Sequence, residues 1–126
     1  MLLVTAVLMA GGCQSEPVPV GEQRLGADWG MGTLGVNLGP EVAVMAAAAA
    51  GEQSLLQRGY VIVGRTVSED RSVLVGRYPS GDAARETVFV ASGTGQATRL
   101  EVHVSPLGDP VESAAVLDGA VRLLGR

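Results

Sequence analysis

Lysine is missing from this 126-residue chain, and cysteine, histidine, tryptophan and phenylalanine occur once each. A single cysteine, Cys13, leaves no internal disulfide framework and no all-thiolate zinc site. His103 has no second histidine or cysteine to share a zinc ion with, and no serine–histidine–aspartate triad can be argued around it. The four aromatic residues, Trp29, Tyr60, Tyr78 and Phe89, are spread along the chain, whereas a stacking platform for sugars or bases needs several together. The nine basic residues are all arginine, scattered from Arg24 to Arg126 without a basic stripe, and the net charge is −4. That distribution excludes nucleic acid as an expected partner. The core must be built from Val, Leu, Ile and Ala.

What is present begins with an uncharged run, Met1 to Gly12 (MLLVTAVLMAGG). Twelve residues at ~1.5 Å each make a helix of ~18 Å, short of the ~30 Å hydrocarbon core of a bilayer. The length suits the apolar region of an export signal. Three small residues, Ala10-Gly11-Gly12, then precede Cys13, and polar, proline-bearing Gln14-Ser15-Glu16-Pro17-Val18-Pro19 follows. The segment resembles the bacterial lipobox. That resemblance implies a signal peptide over residues 1–12, cleavage before Cys13, and a diacylglyceryl-modified Cys13 as the first mature residue. Gln14, by the same resemblance, implies delivery to the outer membrane, periplasmic face, in a diderm host. Residues 13–31 read as the lipidated tether, with no sustained period and two prolines. Seventeen residues, Gln14 to Gly30, reach at most ~60 Å extended and average ~22 Å as a coil.

Residues 32–126 read as one small domain. Thr33–Leu38 alternates as a short strand. Gly39-Pro40-Glu41 opens a helix, with proline at the first helical position and Glu41 on the positive end of the dipole. Its expected apolar face is Val42, Met45, Ala46, Ala49 and Leu56, and Gly59 is its left-handed stop. Four strands follow, Tyr60–Val67, Ser72–Tyr78, Glu86–Ala91 and Thr98–Ser105, with turns at Ser68–Arg71 and Pro79–Asp82. In the last strand Leu100, Val102 and Val104 face one way, and Arg99, Glu101 and His103 the other. Asp109 caps a final helix with Pro110 in its first turn and Glu112 as capping-box partner. Ala114, Leu117, Val121 and Leu124 share one face of that helix, and Gly125 stops it. Short loops imply antiparallel pairing. The expected fold is α+β: a two-layer sandwich, with an antiparallel sheet of four or five strands and two helices on one face.

This order of parts resembles a family of small bacterial lipoproteins known only as a domain of unknown function. The likeness rests on Cys13, on Gly39-Pro40-Glu41 opening a helix, on Gly59-Tyr60-Val61-Ile62 entering the strands, and on Leu107-Gly108-Asp109 before the last helix. It covers nearly the whole chain and carries no catalytic motif with it.

Motifs that suggest chemistry fail on context. Gly30-Met31-Gly32-Thr33-Leu34-Gly35 matches G-x-G-x-x-G, but no strand precedes it and no helix starts on it, so it reads as a hinge into the first strand. Ser92-Gly93-Thr94-Gly95 lacks the lysine of a phosphate loop and joins two strands, so it reads as a hairpin. Asp70, Asp82 and Asp109 match no calcium-loop spacing and read as turn formers and caps. His103 reads as an exposed strand histidine. No catalytic, cofactor or metal residue is therefore assigned, and Cys13 is the one candidate site. The wet sheet face, expected to carry Arg65, Arg77, Arg99, Glu101 and His103, reads as a solvated surface or, in the sharper reading, as a partner-docking face. The expected function is a non-enzymatic envelope lipoprotein, held at the membrane by its lipid, that scaffolds or contacts an envelope protein. The alternative is a small hydrophobic-ligand (lipid) binding domain, using a groove between the Ala-rich helix and the sheet.

Overall fold

The computed structural model describes residues 16–79 and 85–126. Cys13, the signal segment, Asp82 and most of the Pro79–Asp82 turn lie outside the described residues. The chain forms seven strands and two helices: β1 (Val18–Val20), β2 (Leu25–Gly30), β3 (Thr33–Leu38), α1 (Val44–Gln57), β4 (Val61–Thr66), β5 (Arg71–Tyr78), β6 (Arg85–Gly93), β7 (Thr98–Val104) and α2 (Pro110–Leu123). They make one open antiparallel sheet in the order β1-β2-β3-β7-β6-β5-β4. The class is α+β, as the alternation and short loops imply, but four or five strands is an undercount.

The two extra strands lie where a tether was expected. In β2, Leu25, Ala27 and Trp29 turn toward the core while Gly26, Asp28 and Gly30 turn away, so a period of two is present. β1 is three residues long and flanked by Pro17, with Pro19 inside it, which suits an edge strand that need not donate to a second neighbour. Its end is tied down. The Gly21 N–H donates to Asp118 Oδ1 at 2.7 Å, and the Gln23 N–H donates to the Arg126 carbonyl at 3.0 Å. Val20 and Ala27 are consequently in the core.

Both helices cover the same sheet face. α1 lies over β4, β5 and β6, and α2 over β1, β3 and β7. The core between the layers includes Leu34, Val36, Leu74, Phe89, Leu100, Val102, Leu117 and Val121. α1 begins at Val44, four residues after Pro40; Pro40 and Glu41 form a turn, and Glu41 pairs with Arg126 at 2.8 Å instead of facing the dipole. Its buried side is Val44, Ala47, Ala48, Ala50, Gly51, Ser54 and Leu55, whereas the expected Met45, Ala46, Ala49 and Leu56 face solvent. An alanine run offers no polarity contrast to fix which side turns inward. Gly51 decides it: the Phe89 ring lies against its Cα, and a Cβ there would enter the ring. Gly59 ends α1 at φ +93°, as expected. α2 is capped by Asp109, whose Oδ1 accepts from the Val111 and Glu112 N–H groups at 3.0 Å each. Its buried side is Ser113, Val116, Leu117, Ala120 and Val121, one step round from the expected face.

Candidate functional site: the open face of the sheet

The face without helices divides into two halves. Over β2, β3 and β7 it is polar. The Arg99 guanidinium spans three strands, donating to Asp28 at 3.0 Å, Asn37 at 3.1 Å and Glu101 at 3.1 Å. It lies flat across Gly35, and a Cβ at that position would strike the guanidinium. Losing water by burial weakens the hold of Arg99 on its proton; the bonds to Asp28 and Glu101 outweigh this and raise its pKa overall. His103 sits beside this cluster, half-buried instead of exposed. Its Nδ1 is 2.8 Å from the Gly32 carbonyl, and since a carbonyl only accepts, Nδ1 carries the proton. The histidine thus fastens the β2–β3 hairpin.

Over β5 and β6 the same face is apolar. Val73 pairs with Val90 and Val75 with Val88, all partly buried. One end of these rows is closed by the cross-strand pair Arg77–Glu86 at 2.7 Å. The expected wet face placed Arg65 here. A bulge between Ile62 and Gly64 shifts the register, so Arg65 lies opposite core-facing Leu74, on the helix side, and binds Glu52 of α1 at 2.7 Å and 3.0 Å. Arg77, Arg99, Glu101 and His103 are on the face as expected.

The densest group of ionisable side chains lies elsewhere, where α1 ends and α2 begins. Glu112 accepts two bonds from Arg58 (2.6 and 2.9 Å) and one from the Tyr60 hydroxyl at 3.0 Å, with Arg85 4.0 Å away. Buried Thr87 donates to the Tyr60 oxygen at 2.8 Å. Tyr78 packs edge-on to Tyr60 with centroids 5.5 Å apart, and Arg85 stacks over Tyr78. The Arg58 hydrogen bond holds the Glu112 carboxyl below the ordinary glutamate value, and burial pushes the Tyr60 hydroxyl up. An ionised carboxylate saturated with donors and a tyrosine kept protonated act as a clamp between helices. Glu112 is not a capping-box partner, because Arg58 and Tyr60 hold its carboxylate. Nothing in the sequence pointed to this group, whose members lie 52 and 54 residues apart.

The remaining motifs resolve into turns. Met31 (φ +53°) and Gly32 (φ +80°) are the two central residues of the β2–β3 hairpin, with Gly30 opposite Thr33. The G-x-G-x-x-G glycines therefore lie in a hairpin and a strand, not at a helix N-terminus. Thr94 closes the β6–β7 hairpin by bonding Ala97. Among the described residues no three His, Cys, Asp or Glu side chains gather closely enough to hold a metal ion, and no helix is long and apolar enough to cross a membrane. Among the described residues, surface depressions of about 500 Å³ and 410 Å³ lie at the α1 N-terminus and beside Pro106. The first lies where the start of α1 (Val44, Met45) meets the ends of β6 and β7 (Gly93, Thr98), and under Gly51 farther along the helix Phe89 fills the space. No protein-family model matches the chain, and no curated protein is similar to it.

Proposed function

We propose that this protein is a lipid-anchored component of the bacterial cell envelope that docks a protein partner on the outer face of β5 and β6 and performs no chemistry of its own. One observation carries the docking reading: the valine rows Val73–Val90 and Val75–Val88 stay partly exposed on a face whose other half satisfies its own polar groups. The anchor rests on the apolar run Met1–Gly12 ending at Cys13.

Two measurements test the reading. Metabolic labelling with a fatty acid should tag the chain and be lost in Cys13→Ser; an untagged wild-type chain removes the anchor. A photo-crosslinker replacing Val75 should give one defined heteromeric adduct in intact membranes, absent when it replaces Val111 of α2. The same adduct from both positions, or none from Val75, removes the docking face.

A further inference from the structure

The two edges of the sheet are finished differently. β1 is short and carries prolines, a usual guard against further pairing. β4 has six residues, no proline and one charge, Arg65, which is drawn onto Glu52. Nine large apolar side chains are well exposed among the described residues, and five gather at this edge: Met45, Leu56, Val61, Val63 and Val67, each 41% to 52% exposed. The helix layer takes part because Glu52 faces β4, and at 3.6 residues per turn Met45 and Leu56 lie on the same side of α1 as Glu52. α1 runs antiparallel to β4, so Leu56 and Val61 share one end of the edge, and Met45 and Val67 the other. The Glu52–Arg65 pair and Val63 lie between them.

We propose that a second copy of this chain docks on the β4 edge about a two-fold axis near Glu52 and Arg65. This inference stands apart from the anchor and from the valine face. The pattern along the edge, apolar then charged then apolar, is its own complement under such a rotation. Leu56 and Val61 of one copy meet Met45 and Val67 of the other, and each Arg65 faces two glutamates instead of one. The bulge at Val63 limits backbone pairing across the edge, so side chains carry the contact. A six-residue strand is ~20 Å long and the helix-on-sheet edge ~20 Å deep, a footprint of ~400 Å² per copy that suits a weak, reversible dimer.

Sedimentation equilibrium of the full chain in detergent, from about 10 μM to about 1 mM, reads the association directly. A monomer–dimer equilibrium is expected. Val63→Lys and Leu56→Lys, both at exposed positions, should each weaken it about tenfold or more by placing like charges across the axis. Val111→Lys, at a still more exposed position on α2, should leave it unchanged, and circular dichroism confirms that each variant is folded. A chain that stays monomeric throughout overturns the proposal. So does a dimer that neither edge variant weakens, or one that Val111→Lys weakens equally.

Discussion

Over β2, β3 and β7 the outer sheet face closes on itself, with Arg99 lying across Gly35 and reaching carboxylates or amides on all three strands. Over β5 and β6 the same pleat presents four valines that are partly exposed and have no helix over them. Backbone geometry is common to both halves. The difference comes from side-chain length and charge: one long guanidinium can span three strands at ~4.8 Å spacing, while a valine reaches only its direct cross-strand neighbour. One half thus spends its polar groups on internal order, and the other leaves surface for an outside contact. Substitutions that act on one half and not the other test this division.

The largest effect is expected under the valine half. Phe89 is a fully buried ring beneath α1, and the residues above it include Ala47, Ala50 and Gly51, which cannot move in to fill a hole. Phe89→Ala should cost about 3–5 kcal/mol in urea unfolding. It should also release α1 before α2, seen as faster amide exchange in Ala47–Leu55 than in Val116–Val121. Equal loosening of both helices would mean that the halves are not separable.

Next comes the join between them. Glu112 is held ionised chiefly by Arg58, so its folded-state pKa lies below the unfolded one. The stabilisation is therefore present above about pH 4.3 and is lost as pH falls through the lowered folded value. With Arg58 substantially exposed, solvent reduces the contribution to about 1 kcal/mol. Glu112→Gln should lower stability by that amount at pH 7, and its denaturation curve should converge on the wild type in acid. A constant gap across pH would assign the loss to packing instead of charge.

A smaller effect probes the polar half. Gly35→Ala would push the Arg99 guanidinium off Asp28 and Asn37, costing about 0.5–1.5 kcal/mol. In an Arg99→Ala background the three atoms nearest the added methyl are gone, so the same change should cost less. The double-mutant cycle reads this coupling, and additivity would show that Arg99 is not what Gly35 accommodates.

Much of this was legible in the sequence where periodicity was strong. β7 announces itself because Leu100, Val102 and Val104 alternate with charged and polar residues, and Asp109 caps its helix as its position before Pro110 implies. β1 and β2 were hidden by the signals that normally mean loop: Pro17, Pro19, Gly26 and Gly30. The alternation of Leu25, Ala27 and Trp29 was there, but short and interrupted by small residues. The rotation of α1 was not readable, because alanines are alike on every side and the deciding residue, Gly51, is defined only by a ring 38 positions away. The site was half legible. Charged members of the outer face follow from β7, yet the position of Arg65 depends on a one-residue bulge that no local pattern marks. The valine rows carry no mark of their own in the sequence, since only the placement of both helices on the other face leaves them partly exposed.

The smallest expected effect on stability is also the sharpest separation of the halves. Val75→Thr with Val88→Thr keeps β-branching at both partly exposed positions and adds two hydroxyls that water can reach, so stability should move by no more than about 0.5 kcal/mol. A core role would predict several times that, since a hydroxyl buried without a partner is costly. If the face is a docking surface, the pair should abolish the membrane cross-link formed from a probe at Val73 while leaving urea unfolding unchanged. Loss of stability together with the cross-link would place these valines in the structural core, and the contrast between the two halves would then be one of packing alone.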